Sequence, residues 1–207
     1  MMRMRYHWLG LLLAAACARG ESQHAAVPFD SARPWRKPGD KIDSILPMPE
    51  YLRRFREGLI APVGFEGGAA TREALARRFL TALAARDTAA IGGLLVSRAE
   101  FGWLVFPAHL YARPPYELDP AIFWMQLGGA SRKGLQRALA GYGGKRLSFL
   151  ALHCQRDTLQ LKEGPGRLWS PCTVRYRAGD SVVTHRLFGS IVERNGRAKL
   201  LSLANDF

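Results

Sequence analysis

The sequence predicts an α+β fold, with N-terminal helices packed on a curved antiparallel sheet (cone-like), preceded by a signal segment and a flexible tether. Three observations carry this prediction. Apolar residues recur at helical spacing between Thr71 and Gly141, and the period changes to two from Leu147 onward. Helices followed by strands exclude a chain of βαβ units. Near the C-terminus, Asn195-Gly196 supplies the two positive-φ residues that a type I′ hairpin requires. With 207 residues, 48% of them hydrophobic, the chain can bury one core of ordinary size.

Residues 1–16 read as a signal peptide. Arg3 and Arg5 form a positive start, Trp8 to Ala16 a short apolar stretch, and small residues then meet Cys17. No apolar run approaches the ~18 residues of a membrane-spanning helix. Residues 17–45 carry Pro28, Pro34, Pro38 and scattered charges without any period, which predicts a flexible tether. In the segment 46–70, Pro47 and Pro49 introduce a short helix, Glu50 to Glu57, stopped at Gly58 and followed by a linker.

The main domain is expected over 71–207. Thr71 is placed to cap a helix over 72–86, whose apolar side is Leu75, Phe79, Leu80 and Leu83. Arg86-Asp87-Thr88 ends it, and a second helix runs through Ile91, Leu94 and Leu95. Ser97 caps a third piece with Phe101, Trp103, Leu104 and Phe106, closed by Pro107. Asp119-Pro120 starts a fourth helix through Leu127. Gly128-Gly129 should interrupt it, with Ser131 capping a basic continuation to Leu139. Strands are expected at Leu147–Cys154, Thr158–Lys162, Leu168–Tyr176, Val182–Glu193 and Ala198–Phe207.

Two resemblances follow from these residues. Leu13-Ala14-Ala15-Ala16-Cys17 resembles the lipobox of bacterial lipoproteins. That resemblance implies lipidation of Cys17 after removal of the leader, and hence a location on the extracytoplasmic side of a bacterial membrane. The order of elements after Thr71, with Arg86-Asp87-Thr88-Ala89-Ala90 closing the long helix, resembles the cystatin-like α+β cone of the nuclear transport factor two-like superfamily. The resemblance implies a sheet wrapped around helices, with a pocket between them. Members include isomerases, dehydratases, cyclases and non-catalytic binding modules, so fold alone assigns no function.

With Cys17 used as an anchor, Cys154 and Cys172 are left to form a disulfide, which persists in an oxidising compartment. The competing reading is two buried free thiols. The formal charge is +13, but the basic residues are dispersed, with no basic block and no aromatic RNA-binding motif. Nucleic acid is therefore not an expected partner. Anionic envelope components, a small apolar ligand and the membrane itself are.

A two-residue loop at Asn195-Gly196 makes Arg194 face Arg197, Ser190 face Leu201 and His185 face Asp206. Opposed residues lie ~5 Å apart, so His185 and Asp206 are the candidate catalytic pair, a base with its orienting carboxylate. A surface ion pair is the competing reading, and a single bulge would part the two. On the same face, Gly189, Ser202 and Ala204 should leave room for a ligand. Trp103, Tyr111, Trp124 and Trp169 are candidates to line an apolar pocket, against the plainer reading of core aromatics. His153 reads as a core or rim residue, and His109 lies in an aromatic loop with Tyr111 and Tyr116.

No G-x-S-x-G elbow, P-loop or G-x-G-x-x-G is present, and the five histidines show no metal-ligand spacing. No metal and no cofactor is expected. These residues together predict a lipid-anchored extracytoplasmic binding or interaction module of the bacterial envelope, without catalysis. The alternative is a small pocket enzyme of isomerase or dehydratase type, using His185 with Asp206, or Asp87, on an apolar substrate. A third reading is an envelope protein that holds anionic polymers through its arginines.

Overall fold

The computed structural model describes residues 46–157 and 166–206. The signal segment, Cys17, the tether over 17–45 and the strand expected at Thr158–Lys162 lie outside these residues. What is described is α+β: helices and a five-stranded antiparallel sheet.

Five α-helical segments precede the sheet. Helix α1, Met48–Arg56, begins after Pro47 and buries Phe55 against Phe101, with ring centroids 5.6 Å apart. Helix α2, Arg72–Ala84, starts where Thr71 accepts a hydrogen bond from the Ala74 backbone N–H. It buries Leu75, Ala76, Phe79, Leu80 and Leu83. Arg86 turns through positive φ, and Asp87 caps the short α3, Thr88–Gly93. Ser97 and Glu100 form a capping box on α4, Arg98–Glu100, which widens into a π-turn over Phe101–Val105.

Helix α5, Pro120–Tyr142, departs from the sequence expectation. Gly128-Gly129 does not interrupt it, and Ser131 caps nothing. Its hydroxyl instead accepts a hydrogen bond from the Leu203 backbone N–H, at 3.0 Å. Tertiary contacts hold the helix through its glycines. The carbonyl of Leu203 lies so close to Gly134 that a β-carbon there would meet its oxygen at 1.7 Å. Asn205 donates to the Gly134 carbonyl and accepts from Arg137, both at 2.8 Å. The expected strand Ala198–Phe207 therefore stops early, and its C-terminal half straps α5.

The sheet is built on two long strands, β1 (Leu147–Asp157) and β2 (Gly166–Ala178), paired antiparallel. The expected strand Val182–Glu193 is two strands. β3 (Ser181–His185) pairs one half of β2, and β4 (Ile191–Arg194) pairs the other. Arg186 to Ser190 break the run, because five residues there span four on β2. β5 (Arg197–Leu200) closes the hairpin in the register that Asn195-Gly196 dictates, Arg194 opposite Arg197 and Ile191 opposite Leu200. Cys154 and Cys172 are direct cross-strand partners and form a disulfide.

Two buried clusters fill the unit. One joins α2, α3 and the inner sheet face around Phe79, Tyr176 and Phe188. The other joins α1, the π-turn and the start of α5 around Phe55, Phe101 and Phe123.

Candidate functional site

Between α2 and α3 opens a cavity of about 540 Å³, within the range of small-molecule sites. One wall is the loop at Gly67 and Gly68, both at positive φ. Gly68 must be glycine: a β-carbon there would lie 2.4 Å from the Ala198 carbonyl oxygen. That close approach is what brings the loop onto β5, where Ala69 and Ala198 exchange backbone hydrogen bonds of 3.0 and 2.7 Å. The opposite wall is small and apolar, with Ala82, Ala85, Ala90 and Leu94.

Three charged residues line the cavity. Arg78 donates to the Gly68 carbonyl, which stiffens the loop. Arg77 stacks over Phe149 with its guanidinium 4.1 Å from the ring centroid. Asp87 accepts from the Ala90 N–H at 2.8 Å, so its carboxylate serves as the cap of α3. Thr81, also in the lining, donates its hydroxyl to the Arg77 carbonyl. The two side chains that could move a proton are thus engaged in holding helices, while two cations stand beside an apolar wall. The arrangement suits binding of an apolar body with an anionic end.

None of the four expected pocket aromatics lines this cavity. Trp103 lies at a different place, under the Arg56 guanidinium at 4.0 Å, where it lines a separate pocket of about 370 Å³ with Pro49, Arg53 and Glu57. Tyr111 and Trp124 pack in the second cluster, against Phe123 and Phe101 respectively. Trp169 lies under Arg72 and donates its indole N–H to Glu193. Four separate elements carry these aromatics to three places, and only Tyr111 and Trp124 share one.

His185 and Asp206, the candidate pair, engage different partners. His185 ends β3, where its backbone partner is Val174 on β2. Its Nδ1 lies 2.9 Å from the Tyr142 hydroxyl and 3.1 Å from that of Tyr176. Asp206 forms an ion pair with Arg186 at 3.2 Å. Tyr176 is fully buried, and burial pushes its phenol well above the usual tyrosine range, with the neighbouring Tyr142 adding to the effect. The imidazole thus meets two phenols, one of them held neutral within the core. Nor does the neighbouring face leave room for a ligand, since a β-carbon on Gly189 would lie 2.2 Å from the Ser202 hydroxyl.

His109 is wholly buried, and its Nδ1 accepts from the Tyr111 N–H at 3.2 Å. His153 is exposed on the outer sheet face opposite Thr173. Among the described residues, no group of three or more His, Cys, Asp or Glu could hold a metal ion, and no helix is long and apolar enough to cross a membrane. A Gly-Gly pair such as Gly67-Gly68 reads in sequence as a chain breaker and does not announce a cavity wall. Alanines at 82 and 85 facing Ala90 and Gly93 were the available signal. No family model, curated protein or solved structure matches this chain.

Proposed function

We infer that the chain is a lipid-anchored extracytoplasmic protein of the bacterial envelope, and that its α+β domain binds a small apolar ligand with an anionic end. The observation that carries the binding reading is the α2–α3 cavity, apolar on its helix walls and lined also by Arg77 and Arg78. Its Asp87 and Thr81 are engaged in helix contacts, which argues for capture of a ligand over its conversion. The leader before Cys17 supports the anchor. The Cys154–Cys172 disulfide supports a location outside the reducing cytoplasm.

Calorimetric titration of the full chain with dodecanoate and with dodecanol tests the reading. Dodecanoate should bind and raise the melting temperature, dodecanol should bind less tightly, and Ala85→Trp should abolish both while leaving the unliganded protein folded. Equal binding by the Trp variant would place the ligand elsewhere. Absence of binding across a series of apolar anions would overturn the reading.

A further inference from the structure

The outer face of β1, β2 and β3 carries charges that the fold itself does not use. Arg175 and Arg177 alternate outward on β2, and both are exposed. Their cross-strand neighbours are Ala151 and Ser148 on β1, and Thr184 and Val182 on β3. Arg146, exposed, extends the ladder by one step, where its carbonyl accepts from the Gly179 N–H. It has the parity of Ser148 and so stands diagonal to Arg177. Side chains two apart on a strand are separated by about 7 Å, so the three guanidiniums form a compact group.

These arginines differ from most others in the molecule. Arg53 and Arg54 meet Glu50, Arg72 meets Glu193, Arg186 meets Asp206, and Arg137 meets Asn205. Among the described residues no ion pair joins Arg146, Arg175 or Arg177 to a carboxylate, and the acidic residue at the edge of this face is the exposed Asp180 of the β2–β3 turn. Beside the cations stand two exposed apolar side chains. Val182 is 44% exposed opposite Arg177, and Leu150, the extra residue in a bulge of β1, is 43% exposed. Unpaired guanidiniums next to isolated aliphatic groups match the two layers of a bilayer surface, phosphate outside and acyl chain beneath.

We propose that this sheet face docks on an anionic phospholipid bilayer, with Arg146, Arg175 and Arg177 on the headgroup phosphates and Leu150 and Val182 at the acyl boundary. The choice of partner rests on the membrane-anchored reading, which would hold the domain at high effective concentration beside such a surface. Charge complementarity gives the attraction, and salt should weaken it.

The test uses the full chain carrying Cys17→Ser, so that no acyl group contributes. Cosedimentation with vesicles of equal phosphatidylglycerol and phosphatidylcholine should show binding, and pure phosphatidylcholine vesicles should not. Raising salt to about 0.5 M should release the protein. Arg175→Gln with Arg177→Gln should weaken binding about 25-fold, fivefold for each arginine. Arg132→Gln with Lys133→Gln removes the same charge from exposed positions on α5 and should change binding by less than threefold. An unchanged melting temperature shows that each variant is folded. Equal loss in the α5 variant, or equal binding to uncharged vesicles, would overturn the proposal. So would retention of soluble polyphosphate without vesicle binding, which would assign the face to a polymer. Loss of acylation at Cys17 in cells would leave these outcomes untouched.

Discussion

Lys199 places its ammonium 2.8 Å from a carboxylate oxygen of Glu100, with both side chains almost wholly buried. The same carboxylate accepts from the backbone N–H groups of Glu66 and Ser97, each at 2.7 Å, and Lys199 donates to the Glu66 carbonyl. One pair therefore ties the loop before α2, the cap of α4 and strand β5. Removing one partner leaves a buried charge, so Glu100→Ala should cost about 3–5 kcal/mol. Replacing both by apolar residues, Glu100→Leu with Lys199→Met, should recover much of that. Urea unfolding of the three variants decides it, and a cost under about 1 kcal/mol for Glu100→Ala would show the pair to be dispensable.

Two glycines of α5 should respond in opposite ways. Gly129 faces open space, so Gly129→Ala should stabilise by up to about 1 kcal/mol through helix propensity. Gly134→Ala drives a methyl group into the Leu203 carbonyl and should destabilise by more than that gain, in spite of the same propensity. Thermal melts that rank the two alike would contradict the packing of the C-terminal strap.

Reduction should weaken the domain without unfolding it at room temperature. The disulfide links Cys154 to Cys172, 18 residues apart, and a loop of this size contributes about 3 kcal/mol by constraining the unfolded chain. Denaturant midpoints with and without dithiothreitol measure the difference, and Cys154→Ala with Cys172→Ala should match the reduced protein.

Tyr176 sets an alkaline limit. Its phenol is raised by burial, so the folded state disfavours the phenolate. The stability this contributes is complete below the ordinary tyrosine value near 10 and declines as pH rises above it. Absorbance at the phenolate band should show Tyr176 titrating only with unfolding. Tyr176→Phe should remove that late step. A reversible phenolate signal from Tyr176 in the folded protein would contradict its burial.

Local chemistry was legible before the structure. Thr71, Ser97, Asp119-Pro120 and Asn195-Gly196 each act within a few residues of themselves, and each does what its type predicts. The misreadings share a cause, namely contacts between segments distant in sequence. Gly128-Gly129 stays helical because α5 is clamped by Ser131 and Gly134 to the chain end. His185 leaves the hairpin because the chain breaks at Arg186 to Ser190 and β3 joins β2 instead. The cavity was hidden because glycines and alanines shape it, and its floor exists only where Gly68 meets Ala198.

On the proposed function, an acylated Cys17 should carry this domain outside the cytoplasm. Metabolic labelling with radioactive palmitate, comparing the native chain with Cys17→Ser, tests it most directly. A labelled, membrane-associated native protein and an unlabelled variant are the expected result. A native protein that takes up no label and fractionates with cytosolic material would contradict it.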